Sequence, residues 1–131
     1  MARTLKSLLA GVDFAGVWNA LRAWHPETVG DANMADYLAA FNDLRARAAV
    51  AGEYVVRVRR FTDEVHGEII DVDGVMPGDD AGHSLVALPW AEWLGGEVRI
   101  EGEVTDAEAA ACCLHEIVFL SFDEPELTGR P

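Results

Sequence analysis

The chain has 131 residues, half of them apolar and a quarter charged, with 23 Asp and Glu against 10 Lys and Arg for a net charge of −13. That composition excludes a disordered acidic tail and fits one domain, residues 1–131, able to bury roughly two-thirds of its unfolded surface. The charge is split, with +2 on residues 1–62 and −15 on residues 63–131, which excludes nucleic acid as a direct ligand and favours a basic protein surface as partner.

Thr4 can cap a short first helix bearing Leu5, Leu8 and Leu9. Asp13 interrupts the apolar run 8–12 before it reaches the length of a secretion signal, and no segment has the roughly 18 apolar residues a membrane span needs. A cytoplasmic protein with no membrane contact is expected. Asp13 can itself cap a second helix, in which Phe14, Val17, Trp18 and Leu21 form one apolar stripe before the helix stops at His25, ahead of Pro26. Asn33 can cap a third, with Met34, Tyr37, Leu38, Phe41, Leu44 and Ala48 on one face and Gly52 as its end.

The period then changes from helical to alternating. Residues 54–61 place Tyr54, Val56 and Val58 on one side and Val55, Arg57 and Arg59 on the other, which predicts a half-buried strand. Thr62, Asp63 and Glu64 form a turn, residues 65–72 a second strand, and an acidic loop leads to a third strand at 83–88, giving an antiparallel meander. Leu88 to Gly95 predicts one helical turn with Trp90 and Trp93 sealing a sheet edge. Thr105 and Glu108 form a capping box that starts a last helix at Asp106, ending near Phe122 and apolar almost all round, hence central and buried. The expected fold is α+β: N-terminal helices and a buried C-terminal helix on a small three-stranded, mainly antiparallel sheet.

Candidate chemistry is sparse. Cys112, His115 and Glu116 fall on one side of the last helix, as a nascent metal face or an imidazole-activated thiol would require. Zinc takes three or four ligands, however, and His25, His66 and His83 show no matching spacing, while the helical zinc motif would need His where Phe119 stands. Packing is the simpler reading, and neither metal nor cofactor is expected. Adjacent Cys112 and Cys113 have Cα atoms about 3.8 Å apart, below the usual disulfide range, so a bridge between them would be strained. Gly82-His83-Ser84 lacks the second glycine of a nucleophile elbow. The carboxylates of Asp71, Asp73, Asp79 and Asp80 fail the spacing of a calcium loop, and Arg57, Arg59 and Arg60 can be neutralised across strands by Glu68 and its neighbours.

Several of these segments resemble a family of small bacterial proteins known only as a domain of unknown function. The likeness is carried by Leu5-Lys6-Ser7-Leu8-Leu9 with Phe14, Val17, Trp18 and Leu21, by Pro89-Trp90-Ala91-Glu92-Trp93-Leu94-Gly95, and by Cys113-Leu114-His115-Glu116 followed by Phe119, Phe122 and Asp123. The family pattern has His before the Cys and Trp after the Leu, where this chain has Cys112 and His115. The resemblance implies no activity.

The functional expectation is a non-enzymatic binding protein, such as an inhibitor, antitoxin or immunity-type module, whose acidic half docks a basic protein, as a nucleic-acid mimic would. Glu64, Glu68, Asp71, Asp73, Asp79 and Asp80 are the expected contacts. The alternatives are a small enzyme or metal protein using Cys112, His115 and Glu116, and a structural subunit that self-associates through Trp90 and Trp93.

Overall fold

Local signals set the helices. In the computed structural model, which describes residues 3–49, 54–76, 78, 81–83 and 94–123, α1 (Leu5–Ala10) begins at Thr4, whose hydroxyl accepts from the Ser7 N–H while the Ser7 hydroxyl accepts from the Thr4 N–H. Helix α2 (Phe14–Trp24) begins at Asp13, whose carboxylate accepts from the Gly16 N–H at 2.9 Å, and it ends at His25 as expected. These side chains satisfy amides that the first turn of a helix leaves without partners.

Helix α3 (Met34–Ala46) departs from expectation at both ends. Asn33 does not cap it, because its side chain is committed to the preceding turn, accepting from the Gly30 N–H and donating to the Thr28 carbonyl. The helix stops at Ala46 instead of Gly52: Arg47 is already extended, and the Lys6 ammonium draws off the Arg45 and Arg47 carbonyls. Only Tyr37, Phe41 and Leu44 of the expected stripe are buried, while Met34 and Leu38 remain 37% and 39% exposed.

The strands β1 (Val55–Asp63) and β2 (Gly67–Val75) form an antiparallel hairpin with Asp63 opposite Gly67. Its loop is Glu64, Val65 and His66, two residues further along than the predicted turn. Gly67 closes it at φ +76°, a left-handed conformation that costs glycine little. Of the strand expected at 83–88, only His83 is among the described residues, where it makes an isolated bridge to Gly74; residues 84–88 lie outside them. Among the described residues the third strand of the sheet is β3 (Glu97–Glu101), on the far side of β1 and parallel to it, in the order β2-β1-β3. Its alternation, Val98 in and Glu97, Arg99 and Glu101 out, spans only five residues, so it carries a weak local signal. The fold is α+β, with a mixed, mostly antiparallel sheet.

Helix α4 (Asp106–Asp123) starts at the predicted capping box, with the Glu108 N–H bonded to the Thr105 hydroxyl and the Thr105 N–H to the Glu108 carboxylate. It packs on α1, α2, α3 and β2. Residues 109–114, Ile117 and Val118 are all buried, which makes α4 the centre of the molecule. One apolar cluster joins these residues to Leu5, Leu21, Phe41, Val56, Val58, Ile70, Val72 and Val98, drawing on all four described helices and all three strands. No described helix is long and apolar enough to cross a membrane.

Candidate functional site

The side chains of β1 and β2 sort by parity onto two faces. Val56, Val58, Ile70 and Val72 meet the helices, and Arg57, Arg59, Asp71 and Asp73 lie on the other side. Arg57 is opposite Asp73 and Arg59 opposite Asp71 in the strand register. The Arg57 guanidinium grips Asp73 with two bonds of 3.0 and 2.7 Å, and this pair is only 14% and 15% exposed. Arg59 donates to Asp71 at 3.0 Å. The cross-strand neutralisation expected of the arginines is therefore present. Arg60 donates to Glu68 at 2.7 Å and lies over the Trp24 ring. Both face the helical side, as the pairing of Arg60 with Ile70 requires, so Glu68 is not on the wet face with Arg57 and Arg59.

The expected contact residues thus occupy distinct places. Glu64 is exposed at the hairpin tip, Glu68 sits at the helix-facing margin of the sheet, and Asp71 and Asp73 form the charge ladder of the opposite face. Asp79 and Asp80 lie outside the described residues, as do Trp90 and Trp93.

What the fold brings together is a pair of histidines 90 positions apart in the chain. His25, the C-cap of α2, stacks on His115 of α4 with ring centroids 3.8 Å apart and planes 15° from parallel. Tyr37 of α3 shares a hydrogen bond of 3.0 Å with Nδ1 of His115. A cavity of about 300 Å³ opens between this pair and β2, walled by Ile70, Asp71 and Val72 on one side and by Cys112, His115 and Glu116 on the other. A second, of about 310 Å³, lies on the other flank of the same two imidazoles, with Trp24, Glu27, His66 and Glu68 in its wall. Among the described residues, neither wall contains Lys or Arg.

Burial holds the His25 imidazole below its ordinary range, and burial together with the nearby His25 pushes His115 down to about 4. Two stacked imidazolium rings would repel in a site with little water, so both stay neutral at pH 7. Burial also pushes Cys112 up to about 12 and Cys113 well above the normal thiol range, which leaves both as thiols. Cys112, His115 and Glu116 do share one wall, but a thiol this far from ionising is a poor nucleophile. Among the described residues no three His, Cys, Asp or Glu side chains are placed to hold a metal ion. Glu108, a turn earlier, is engaged by Thr105 and by the Trp24 indole N–H at 2.8 Å.

The histidine pair carries a pH prediction. The unfolded chain protonates His115 near pH 6.5 and the folded chain only near 4, so unfolding takes up a proton between those values and stability falls as the pH drops through that window. After allowance for solvent screening at a partly open site, the loss is about 1–2 kcal/mol. Urea denaturation at pH 7, 5.5 and 4.5 should show this loss, and His115→Gln should flatten it.

Sequence reading placed His115 with Cys112 and Glu116 on one side of the last helix, but took His25 as a helix stop and a histidine without ligand spacing. Its position continues the stripe of Trp18 and Leu21 at i+7 and i+4, a helical spacing that marks the face turned toward α4.

No curated protein and no solved structure matches the chain. The family match covers residues 6–130, including α2, the hairpin and α4, and by it the chain belongs to a family of unknown function, DUF6557.

Proposed function

We propose that this is a non-enzymatic cytoplasmic binding protein, of the inhibitor, antitoxin or immunity type, that docks a basic protein at the double cleft beside β2. One observation carries the reading. Glu27, Glu68 and Glu116 line the two cavities, no Lys or Arg among the described residues lines either, and the two imidazoles between them are held neutral. A concave surface of one sign attracts the opposite charge more strongly than a flat one, because its low-dielectric walls focus the field. The protonated thiols favour binding over covalent chemistry at the same place.

The test is affinity capture at about 50 and 500 mM salt, with wild type and a Glu27→Lys/Glu116→Lys variant. Electrostatic docking predicts a basic partner retained at low salt, released at high salt and lost by the variant. Capture that ignores both salt and the charge reversal would remove the basis of the reading.

A further inference from the structure

Three consecutive residues of β2, Ile70, Asp71 and Val72, line the cavity that faces α4, and Glu68 and Ile69 line the second one. Successive side chains on a strand point to opposite faces, so no single face of β2 can supply neighbours in a row. The cavities therefore run along the outer edge of the strand, where the main chain is the wall, and the Asp71 carboxylate stays with Arg59 on the far face. In the order β2-β1-β3, β2 ends the sheet, with β1 on its inner side. The bridge to His83 fixes which groups this edge presents. Gly74 exchanges both main-chain bonds with His83 at 2.8 Å, so its N–H and C=O point away from β1. Groups alternate in direction along a strand, and Glu68, Ile70 and Val72 aim theirs outward too, each offering one donor and one acceptor. Among the described residues no backbone partner meets them. An edge in this state is a template for a further strand.

We propose that an extended, basic segment of the partner adds to this edge as an antiparallel strand, in the register that His83 begins. The inference rests on the basic-partner reading above and supplies its mode of docking. Cross-strand partners share a face, so incoming side chains opposite Val72 and Ile70 enter the cavity of about 300 Å³ between β2 and α4, where Ile70, Val72 and Cys112 suit apolar groups. The side chain opposite Glu68 enters the second cavity beside Glu27 and Glu68, which favour Lys or Arg. From its N-terminal end the added strand reads apolar, any, apolar, any, basic. Main-chain bonds give the affinity, and the alternate side chains select the partner. A second copy of this chain would set its own acidic β2 against like charges, so a strand of opposite sign fits better.

The probe is the capped peptide Thr-Val-Thr-Val-Thr-Lys-Thr, titrated into the full chain and read by calorimetry and by hydrogen exchange of the β2 amides. Binding should slow exchange at Glu68, Ile70 and Val72, whereas Ile69 and Asp71, which point toward β1, should change little. Two singly N-methylated forms separate pairing from charge. A methyl on the central Val removes an N–H that faces β2 and should weaken binding about tenfold or more, while a methyl on the Thr before it points away and should cost less than about threefold. Replacing the Lys by Glu should also cost about tenfold at low salt. Equal affinity for the two methylated peptides overturns the added strand, as does unchanged exchange at Glu68, Ile70 and Val72 under millimolar peptide. Slow exchange at those amides before peptide is added means that the edge is already taken, by residues 84–88 or, where the slowing grows with protein concentration, by a second copy, and it overturns the proposal as well. Affinity capture that passes its salt and charge-reversal arms while these amides stay unprotected removes the strand alone and leaves the basic-partner reading standing.

Discussion

Leu114→Ala should be the most damaging conservative change in the molecule, lowering stability by roughly 2–5 kcal/mol. Leu114 is fully buried on α4, the helix that touches α1, α2, α3 and β2, so neighbours on several sides must move to fill the space it vacates. The cost has two parts, the transfer of lost apolar surface and the residual cavity, and the second is large where rigid elements surround the site. Leu38→Ala removes the same atoms from a position 39% exposed on α3 and should cost under about 1 kcal/mol. In urea denaturation the two variants should share the wild-type slope and differ in midpoint. Equal midpoints would mean that α4 is not the centre of the core.

The second large effect is expected at Asp73. Its carboxylate holds the Arg57 guanidinium with two bonds in a place where both side chains are about one-seventh exposed. Removing one member of a mostly buried ion pair leaves the other desolvated without its counter-charge, at a cost of roughly 2–4 kcal/mol for Asp73→Ala. The segment 81–83 passes directly over this pair: a Cβ at Gly82 would overlap the Asp73 carboxylate, while His83 bonds Gly74 in both directions at 2.8 Å. Gly82→Ala must therefore displace the carboxylate or break the bridge, and it should be costly in the wild type. In the Asp73→Ala background the obstacle is gone, so Gly82→Ala should cost much less. A double-mutant cycle read by denaturation measures the difference, and additive losses would show that the two sites are independent.

The parts of this fold visible in the sequence are those encoded within one turn or one pleat. The caps at Thr4, Asp13 and Thr105 are each a single polar side chain reaching an amide three residues on, and all three are present. The same rule misled at Asn33, because its side chain had a competing partner in the turn before it. The β1–β2 hairpin was legible from its alternation. Strand β3 was not, since its partner lies some 40 residues earlier and a five-residue parallel strand lacks the tight turn that announces a hairpin. The cavity was legible by half. Cys112, His115 and Glu116 follow from helical spacing, whereas His25 joins them only through the docking of α2 on α4. Likewise, the carboxylates of β2 could be counted from sequence, but their partners depended on register.

The placement of β3 also sets the sequence of events in folding. The hairpin needs only neighbouring residues, so it can close within microseconds once β2 exists. The parallel pairing of β3 with β1, and the bridge from Thr4 to Glu97 beyond it, join segments far apart along the chain. Such contacts require closing large loops before any interaction rewards them, which makes them late and slow. During synthesis Thr4 must wait for Glu97, 93 positions further along, before this bridge can form. Until then β1 offers an open edge to any passing strand, and the interval before β3 arrives is when the nascent protein is most exposed to misassembly.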